Sequence, residues 1–396
     1  MTVVELFSRE PAENLLSALC LKPEKLVYLG TRDVMTDRRI AAVRSFFRNR
    51  RNAPTLRFLR VAEGDYAATG NAIEDILRED PACAFEMTGG SDLILAALGT
   101  AAVGHSFTMF EMDVRKQALR IIRGGMLPQG ALRPLMGISA AACVRLFGGE
   151  LYESSYTLSG KLPEGLEDDI QALWRVYGKA PQTWTKECSR LAVLCAQGGG
   201  QGLSYNGEMP EKCARSFIDR LRKEKLLTAY REEGSRVSLR FRNEHVKRTL
   251  TRAGDLLELW VFLAARSDPA SFTDAVMGAK IRWTGEERGT TNEIDGLVMH
   301  GAVPLYISCK IGSVPKEALY EVDSVAARFG GAYAAKVLIC GHLGGSESAR
   351  QALRQRAADM EILLIENVDA LSRPELAEKL RKHASDGPRA RLLDLK

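Results

Sequence analysis

The sequence contains no long hydrophobic run. No stretch approaches the roughly 20 apolar residues that a membrane helix needs. The N-terminal residues also lack the basic start and the apolar core of a signal peptide. We therefore expect a cytoplasmic protein with no membrane partner.

Cysteine motifs for metal binding are absent. The eight cysteines are scattered, none forms a CxxC pair, and the five histidines do not cluster with them. This pattern disfavours a zinc site and is typical of reduced thiols. A strong excess of one charge is also missing, since 55 Lys and Arg face 50 Asp and Glu. The net charge of +5 is compatible with a polyanionic partner without establishing one.

Strands and helices alternate in the N-terminal third. Strands are predicted over residues 25–30, 55–61, 82–87 and 105–113, with helices between them. The alternation predicts a parallel sheet with helices on both faces, and ligands then bind beyond the carboxyl ends of the strands. Two polar loops fall at those ends. The residues of these loops are Gly30, Thr31, Arg32 and Asp33, and Thr88, Gly89, Gly90, Ser91 and Asp92.

The second loop, TGGSD, has the composition of a phosphate-binding turn. Two glycines let the backbone approach a ligand, and the helix that follows offers its N-terminal amides. The alternative is a tight strand-to-helix turn in which Ser91 caps the helix. No GxGxxG motif follows the first predicted strand, so a simple dinucleotide site is weakly supported.

The middle of the chain, about residues 151–250, is predicted to contain two helices followed by a hairpin. The charged helix over residues 210–224 has Cys213, Phe217, Ile218 and Leu221 on its inward side. This order resembles a winged-helix module, whose basic helix could face nucleic acid. The alternative is a spacer between domains, which the acidic residues on the same helix favour.

The stretch over residues 292–312 is predicted to be a hairpin with its turn at His300 and Gly301. Glu293 and Asp295 lie two apart on the first strand and therefore share a face. The second strand places Ser308 and Lys310 on one face and Cys309 on the other. Carboxylates that hold Mg²⁺ or Mn²⁺, beside a lysine that positions water, would suit phosphodiester hydrolysis. An edge hairpin with solvated charges is the alternative.

Glu258 is the only charge between Leu256 and Ala265 in an otherwise apolar predicted helix. A lone carboxylate there needs a partner. A metal shared with Asp295 would supply one, and so would a salt bridge to Arg282 or Lys310.

The order helix with Glu258, strand with Asp295, strand with Lys310, helix, strand resembles the PD-(D/E)xK restriction-endonuclease-like fold. The position two before Lys310, acidic in that pattern, is Ser308. The metal shell could be completed by the Cys309 carbonyl with Ser308. It could instead be completed by Glu321, which shares a helix face with Glu317. An inactive nuclease fold is the third possibility.

The strings NEIDGLV, LYISCKIG and ALYEVDSVAARFGGAYAAKVLI are similar to those of CARF-domain nucleases of type III CRISPR systems. The resemblance implies a Rossmann-like CARF domain (residues 1–150), a linker or winged-helix-like region (151–250) and a nuclease domain (251–396). It implies a homodimer that binds a cyclic oligoadenylate, usually cyclic tetra-adenylate, through the two N-terminal loops. Binding would activate metal-dependent cleavage of DNA or RNA allosterically, in antiviral defence.

Two other functions remain open at this stage. A CARF-type transcription regulator would bind duplex DNA through the winged-helix-like segment and would not cut it. A ring nuclease would destroy the cyclic nucleotide, with chemistry near Thr31 or Ser91.

Overall fold

The structure of the protein is a computed structural model, which describes residues 1–48, 50–125, 127, 137–152, 160, 162–197, 202–283 and 291–387. Within these ranges the chain forms two six-stranded sheets and one three-stranded sheet. The mixed α/β fold predicted from the sequence is confirmed.

The N-terminal sheet has the strand order β3-β2-β1-β4-β5-β6, with β1 to β5 parallel and β6 antiparallel to β5. Its strands are β1 (Thr2–Leu6), β2 (Lys25–Thr31), β3 (Thr55–Val61), β4 (Ala84–Glu86), β5 (Thr108–Asp113) and β6 (Ala118–Arg123), and its helices are α1 (Glu13–Leu21), α2 (Asp37–Arg48), α3 (Tyr66–Glu79) and α4 (Asp92–Gly104). Helices α1 and α2 pack on one face, and α3 and α4 pack on the other. The predicted layers are therefore present, but the central strand β1 and the edge strand β6 were not predicted.

The C-terminal sheet has the strand order β15-β14-β13-β12-β11-β7. Its first strand in the chain is β7 (Gly149–Tyr152), which follows α5 (Ala140–Leu146) and pairs with β11. The other strands are β11 (Asp274–Trp283), β12 (Thr291–His300), β13 (Val303–Lys310), β14 (Ala335–Cys340) and β15 (Ile362–Ile365), and the helices are α10 (Asp255–Arg266), α11 (Glu317–Phe329), α12 (Glu347–Asp359) and α13 (Arg373–Asp386). Short 3₁₀ turns span Gly331–Tyr333 and Val368–Ala370.

A smaller unit lies between the two sheets in sequence. It contains α6 (Leu166–Tyr177), α7 (Pro181–Gln197), β8 (Ser204–Glu208), α8 (Arg215–Lys223), β9 (Leu227–Glu233), β10 (Arg236–Phe241) and α9 (Glu244–Thr251). The strands form an antiparallel sheet of order β8-β10-β9, in which β9 and β10 are a hairpin. The helix predicted over residues 210–224 is shorter, since α8 begins at Arg215 and Cys213 precedes it, but the four side chains expected on its inward side are all buried. A Trp174–Trp260 stack at 4.3 Å packs this unit onto α10.

The two large halves touch through the turn after α11. The Ala332 amide donates to Glu10 Oε2 at 3.0 Å, and the Tyr333 hydroxyl donates to Glu13. Arg115, which follows β5, donates to the carbonyls of Ala332 and Ala384, each at 3.3 Å. Among the described helices, none is both long and apolar enough to cross a membrane.

Candidate nuclease and nucleotide-binding sites

The hairpin formed by β12 and β13 carries the C-terminal candidate site. Its backbone pairing runs from His300 opposite Val303 to Gly296 opposite Ile307, with Gly301 left-handed in the turn at φ +62°. Beyond the last pair, Asp295 Oδ2 accepts the Cys309 backbone N–H at 2.8 Å. A side-chain carboxylate thus takes the amide of the neighbouring strand where the two strands diverge.

Lys310 and Ser308 lie on the same face as Asp295, as predicted. Lys310 Nζ is 3.8 Å from Asp295 Oδ2, and both side chains keep about a quarter of their surface exposed (29% and 24%). Ser308 Oγ donates to the same oxygen at 3.3 Å. The Lys310 ammonium is therefore held beside the Asp295 carboxylate, and both groups remain open to solvent.

Glu258 lies in the first turn of α10 and is half-buried. Burial, followed by the negative charge of Asp295, raises the pKa of Glu258 to about 8. A buried carboxyl with a second carboxylate nearby would be stabilised in its charged form by a bound cation. The salt bridge expected as an alternative involved Arg282 or Lys310. The Lys310 ammonium instead lies beside Asp295, and the Arg282 guanidinium lies over the Tyr152 ring, 5.0 Å from its centre.

A cleft of about 550 Å³ opens over this face of the hairpin. The candidate residues Glu293, Asp295, Ser308 and Lys310 line one wall, and α11 supplies Glu317, Tyr320 and Glu321 on the other. Glu293 also lies 3.8 Å from Lys280 on β11. The structure therefore brings Glu321 and Glu317 to the cleft, while Glu258 is not among its lining residues.

The donor set suits an oxygen-preferring divalent cation. In the part of the chain that the structure describes, no three His, Cys, Asp or Glu side chains converge as a metal cluster. Mg²⁺ is commonly bound by one or two carboxylates with water in the remaining positions. Asp295 lines the cleft, and Glu258 lies near enough for the Asp295 charge to act on it. Burial raises the pKa of the Cys309 thiol far above its usual range, so that only its carbonyl remains a candidate ligand.

The two predicted loops of the N-terminal half follow β2 and β4, which flank β1. Gly89 packs so closely that a Cβ there would lie 2.2 Å from the Leu6 carbonyl oxygen, and Gly90 is left-handed at φ +92°. Ser91 accepts the Ile94 amide at 3.4 Å and caps α4. The loop is thus a capped turn, and its glycines are required by the approach to β1.

The first loop is anchored differently. Thr31 is buried at the end of β2, and Gly30 packs against Phe7. Arg32 and Asp33 are exposed, and Asp33 pairs with Arg9 at 3.0 Å. Arg9 follows β1, so the ends of β1, β2 and β4 together form the candidate nucleotide surface.

A buried acid pair beneath these loops was missed. Glu5 on β1 and Glu86 on β4 are register partners, and both are fully buried. Ser17 donates to Glu5, and the Thr88 amide donates to Glu86 Oε1 at 2.9 Å. Burial and the neighbouring Glu86 raise the pKa of Glu5 far above its usual value, and burial raises that of Glu86 to about 7.

Each of these carboxyls leaves its Oε2 without a further hydrogen-bond partner among the described residues. One proton shared between the two groups would satisfy both. The sequence signal was a glutamate in each of two apolar runs, TVVEL and CAFEM. Glu86 in turn fixes Thr88, the first residue of the TGGSD loop.

The structure resembles solved proteins along nearly its whole length. The protein VC1899 from Vibrio cholerae aligns with a TM-score of 0.72 and 17% identity, over 96% of this chain and 97% of that one. Can2 from Sulfobacillus thermosulfidooxidans, solved in complex with cyclic tetra-adenylate, aligns with a TM-score of 0.67 and 16% identity over the same shares. No protein-family model matches the sequence, and no curated protein matches it. The likeness establishes a shared fold in both halves.

Proposed function

We propose that this chain is a metal-dependent nuclease that a cyclic oligoadenylate activates, acting as a homodimer in the cytoplasm in type III CRISPR defence. The observation that carries the proposal is the Asp295–Lys310 pair at the diverging end of a hairpin, open to a 550 Å³ cleft. The whole-length fold similarity to Can2, solved with cyclic tetra-adenylate, supports the sensing half. The sequence strings that resemble CARF nucleases support both halves.

The residues of the C-terminal site would divide the chemistry between them. Asp295, Glu258 and the Cys309 carbonyl would hold Mg²⁺ or Mn²⁺, which when bound supplies Lewis-acid polarisation of the scissile phosphate. Lys310 would orient the attacking water or bind a phosphate oxygen, because its ammonium already lies beside Asp295. Ser308 would hold the Asp295 carboxylate in place through its hydroxyl.

The opposite wall of the cleft fits a nucleic-acid strand. Tyr320 lines the cleft with 53% of its surface exposed, so its ring is available for stacking on a base. Such stacking tolerates every base, which suits cleavage with little sequence preference. Glu317 and Glu321 stand on the same wall, from which either could contribute a further metal contact or a water contact.

The sensing half would bind the cyclic nucleotide at the ends of β1, β2 and β4. The amides at the start of α4 and the Ser91 hydroxyl would face its phosphates, while the Thr88 hydroxyl is held beneath the loop by Glu86 and the Met112 amide. A contact path leads from this loop towards the nuclease cleft: Gly89 packs on Ser8, the Ser8 hydroxyl accepts the Glu10 amide at 3.1 Å, and Glu10 holds the turn after α11. A ligand that binds better to one arrangement of this path would shift the nuclease between states.

The test is a cleavage assay on labelled single-stranded DNA and RNA with Mn²⁺, with and without cyclic tetra-adenylate. We expect cutting only when both the metal and the nucleotide are present. Cutting without the nucleotide would contradict activation by the nucleotide and would still support the nuclease function. If neither strand nor a supercoiled plasmid is cut, a ligand-responsive DNA-binding regulator becomes the better hypothesis, and retention of specific duplex binding would identify it. Mass photometry on the same sample tests the homodimer.

A further inference from the structure

A second cleft, of about 660 Å³, lies between the two large halves and is lined by five arginines. We call it the arginine cleft. Its arginines are Arg9, Arg38, Arg39, Arg145 and Arg328. Among the residues that the structure describes, Asp33 is the only acidic side chain in the lining. A concave surface with this charge concentrates anions and excludes cations.

Both halves build the arginine cleft. The N-terminal half contributes Arg9 after β1 and two arginines from the first turn of α2, whereas Arg145 ends α5 and Arg328 ends α11. Arg39 is fixed by donating to the Val34 carbonyl at 2.8 Å, and Arg9 by its ion pair with Asp33.

The contact between the halves is close at this point. A Cβ at Gly148 would lie 2.1 Å from Arg38 Nη2, and Gly148 is left-handed at φ +82°. Only glycine satisfies both conditions without strain. The Arg38 guanidinium of the N-terminal half therefore lies directly against Gly148, three residues after Arg145.

Helix α11 links the arginine cleft to the candidate nuclease cleft. Glu321 lines the nuclease cleft and Arg328 lines the arginine cleft, seven residues further along. Seven residues are close to two helical turns, so the two side chains share one face about 10 Å apart. Val325, between them on that face, also lines the nuclease cleft. A strand lying along this face would pass from one cleft to the other within a few nucleotides.

We propose that the arginine cleft binds the phosphodiester backbone of the substrate strand beside the cleavage site. Guanidinium groups recognise phosphate through paired charge-assisted hydrogen bonds. Contacts of this kind position a strand without reading its sequence. The proposal rests on the proposed nuclease function and adds to it the surface that holds the substrate. Because the cleft is made from both halves, the substrate would bind where the sensing half meets the catalytic half.

The test compares the Arg145→Ala, Arg328→Ala double variant with wild type and with Arg78→Ala. Arg78 is an exposed arginine on α3, across the N-terminal sheet from α2, and is paired with Asp75. Binding of fluorescent single-stranded DNA and RNA is measured by anisotropy in EDTA, with cyclic tetra-adenylate present, over a range of salt concentrations. For the double variant we expect affinity to fall about tenfold or more. The slope of log K against log salt should shrink by about 1.4, at about 0.7 for each lost phosphate contact on a single strand. The control should match wild type in both quantities.

Two further measurements separate the possible failures. Hydrolysis of bis(p-nitrophenyl) phosphate needs only the nuclease cleft, so the ratio of strand cleavage to hydrolysis of this small diester should fall in the double variant. Unchanged strand affinity and salt slope would overturn the proposal. So would loss of labelled cyclic tetra-adenylate binding with strand binding intact, because the cleft would then serve the nucleotide. If wild type cuts neither the strand nor the small diester but binds strands through these arginines, the proposal for the arginine cleft is supported and the nuclease function is contradicted.

Discussion

Each half of the molecule contains a pair of carboxyl groups. The sealed pair is Glu5 and Glu86 in the N-terminal half, and the open pair is Asp295 and Glu258 in the C-terminal half. Glu5 and Glu86 are sealed under the N-terminal loops, with no exposed surface. Asp295 keeps 24% of its side-chain surface exposed, and Lys310 lies 3.8 Å from it. In both places a carboxyl is pushed towards its neutral form, with a pKa of about 7 for Glu86 and about 8 for Glu258.

The two pairs differ in whether a cation can reach the carboxyl groups and replace the proton that each pair retains. In the sealed pair, Ser17 and Thr88 donate to one oxygen of each carboxyl, and neither side chain reaches solvent, so the pair is a fixed support for the loop. In the open pair only Asp295 lines the solvent-exposed cleft, where a divalent cation could bind and displace the proton of neighbouring Glu258. Similar chemistry thus yields a structural element in one half and a candidate reactive site in the other, and solvent access separates the two outcomes.

The largest expected effect on strand cleavage comes from Lys310, which lies beside Asp295 of the open pair. Replacing Lys310 by alanine should reduce strand cleavage by about 100-fold or more, because a positioned proton-transfer or water-orienting group contributes on that scale. Binding of cyclic tetra-adenylate and the melting temperature should change little. Lys280→Ala, one strand away and paired with Glu293 at 3.8 Å, is the matched control. Full activity of Lys310→Ala would contradict the assignment of Lys310 to the catalytic site.

The loop above the sealed pair offers the next test. Gly89→Ala would force a Cβ to within 2.2 Å of the Leu6 carbonyl, so the loop must move away from β1. We expect binding of cyclic tetra-adenylate to weaken by about tenfold or more and stability to fall by about 1–3 kcal/mol. Isothermal titration and thermal unfolding measure the two effects. Gly99→Ala in α4, where a Cβ meets nothing within 4 Å, should instead gain about 0.5–1 kcal/mol.

The sealed pair should control how stability depends on pH. The folded protein keeps protons on Glu5 and Glu86 that an unfolded chain loses above about pH 4.5, the usual glutamate value. The stability contributed by these protons is fully present below that pH and is lost as the pH rises through 7 and above. Glu5→Gln keeps the shape and a donor, so it should be more stable than wild type at pH 8 and equal to it near pH 4.5.

The size of that change is bounded by linkage. One retained proton corresponds to at most about 1.4 kcal/mol for each pH unit. Urea unfolding at pH 4.5, 6 and 8 measures it, with exposed Glu63→Gln as the control. Parallel pH profiles for wild type and Glu5→Gln would contradict a raised pKa at Glu5 and make the two pairs less alike than the geometry indicates.

The smallest effect is expected at Ser308. Ser308→Ala removes one hydrogen bond to Asp295 and leaves the stronger one from the Cys309 amide. Cleavage should fall about twofold to tenfold, the worth of one ordinary hydrogen bond. A loss as large as that of Lys310→Ala would mean that Ser308 takes the role of the missing acidic residue directly.

The placement of the strand residues at the candidate nuclease site was predictable because its signal is local. Alternation puts Glu293 with Asp295 on one face of β12 and Ser308 with Lys310 on one face of β13, and the turn at His300 and Gly301 pairs the two strands. The structure places Glu321 on the cleft wall, although its role stays a prediction. The domain boundaries and the roles of the loop residues likewise stay predictions.

The parts that were missed depend on contacts distant in sequence. Strand β1 was overlooked because Glu5 interrupts a short apolar run, and only the register with Glu86 explains how the sheet tolerates it. The contact between Glu10 and Ala332 joins residues 322 positions apart. No periodic pattern of apolar residues in the sequence indicates such a contact. The arginine cleft likewise assembles from four segments that each look like ordinary surface.

The turn after α11 makes that helix a lever. Its C-terminal end is clasped by Glu10 and Glu13 of the N-terminal half, and its other end carries Glu317 beside the nuclease cleft. Thirteen residues span about 20 Å. A rotation of about 10° at the clasp would therefore sweep the far end through roughly 3 Å, about the length of a hydrogen bond. A displacement of that size at the far end would be large enough to make or break a hydrogen bond at the nuclease cleft.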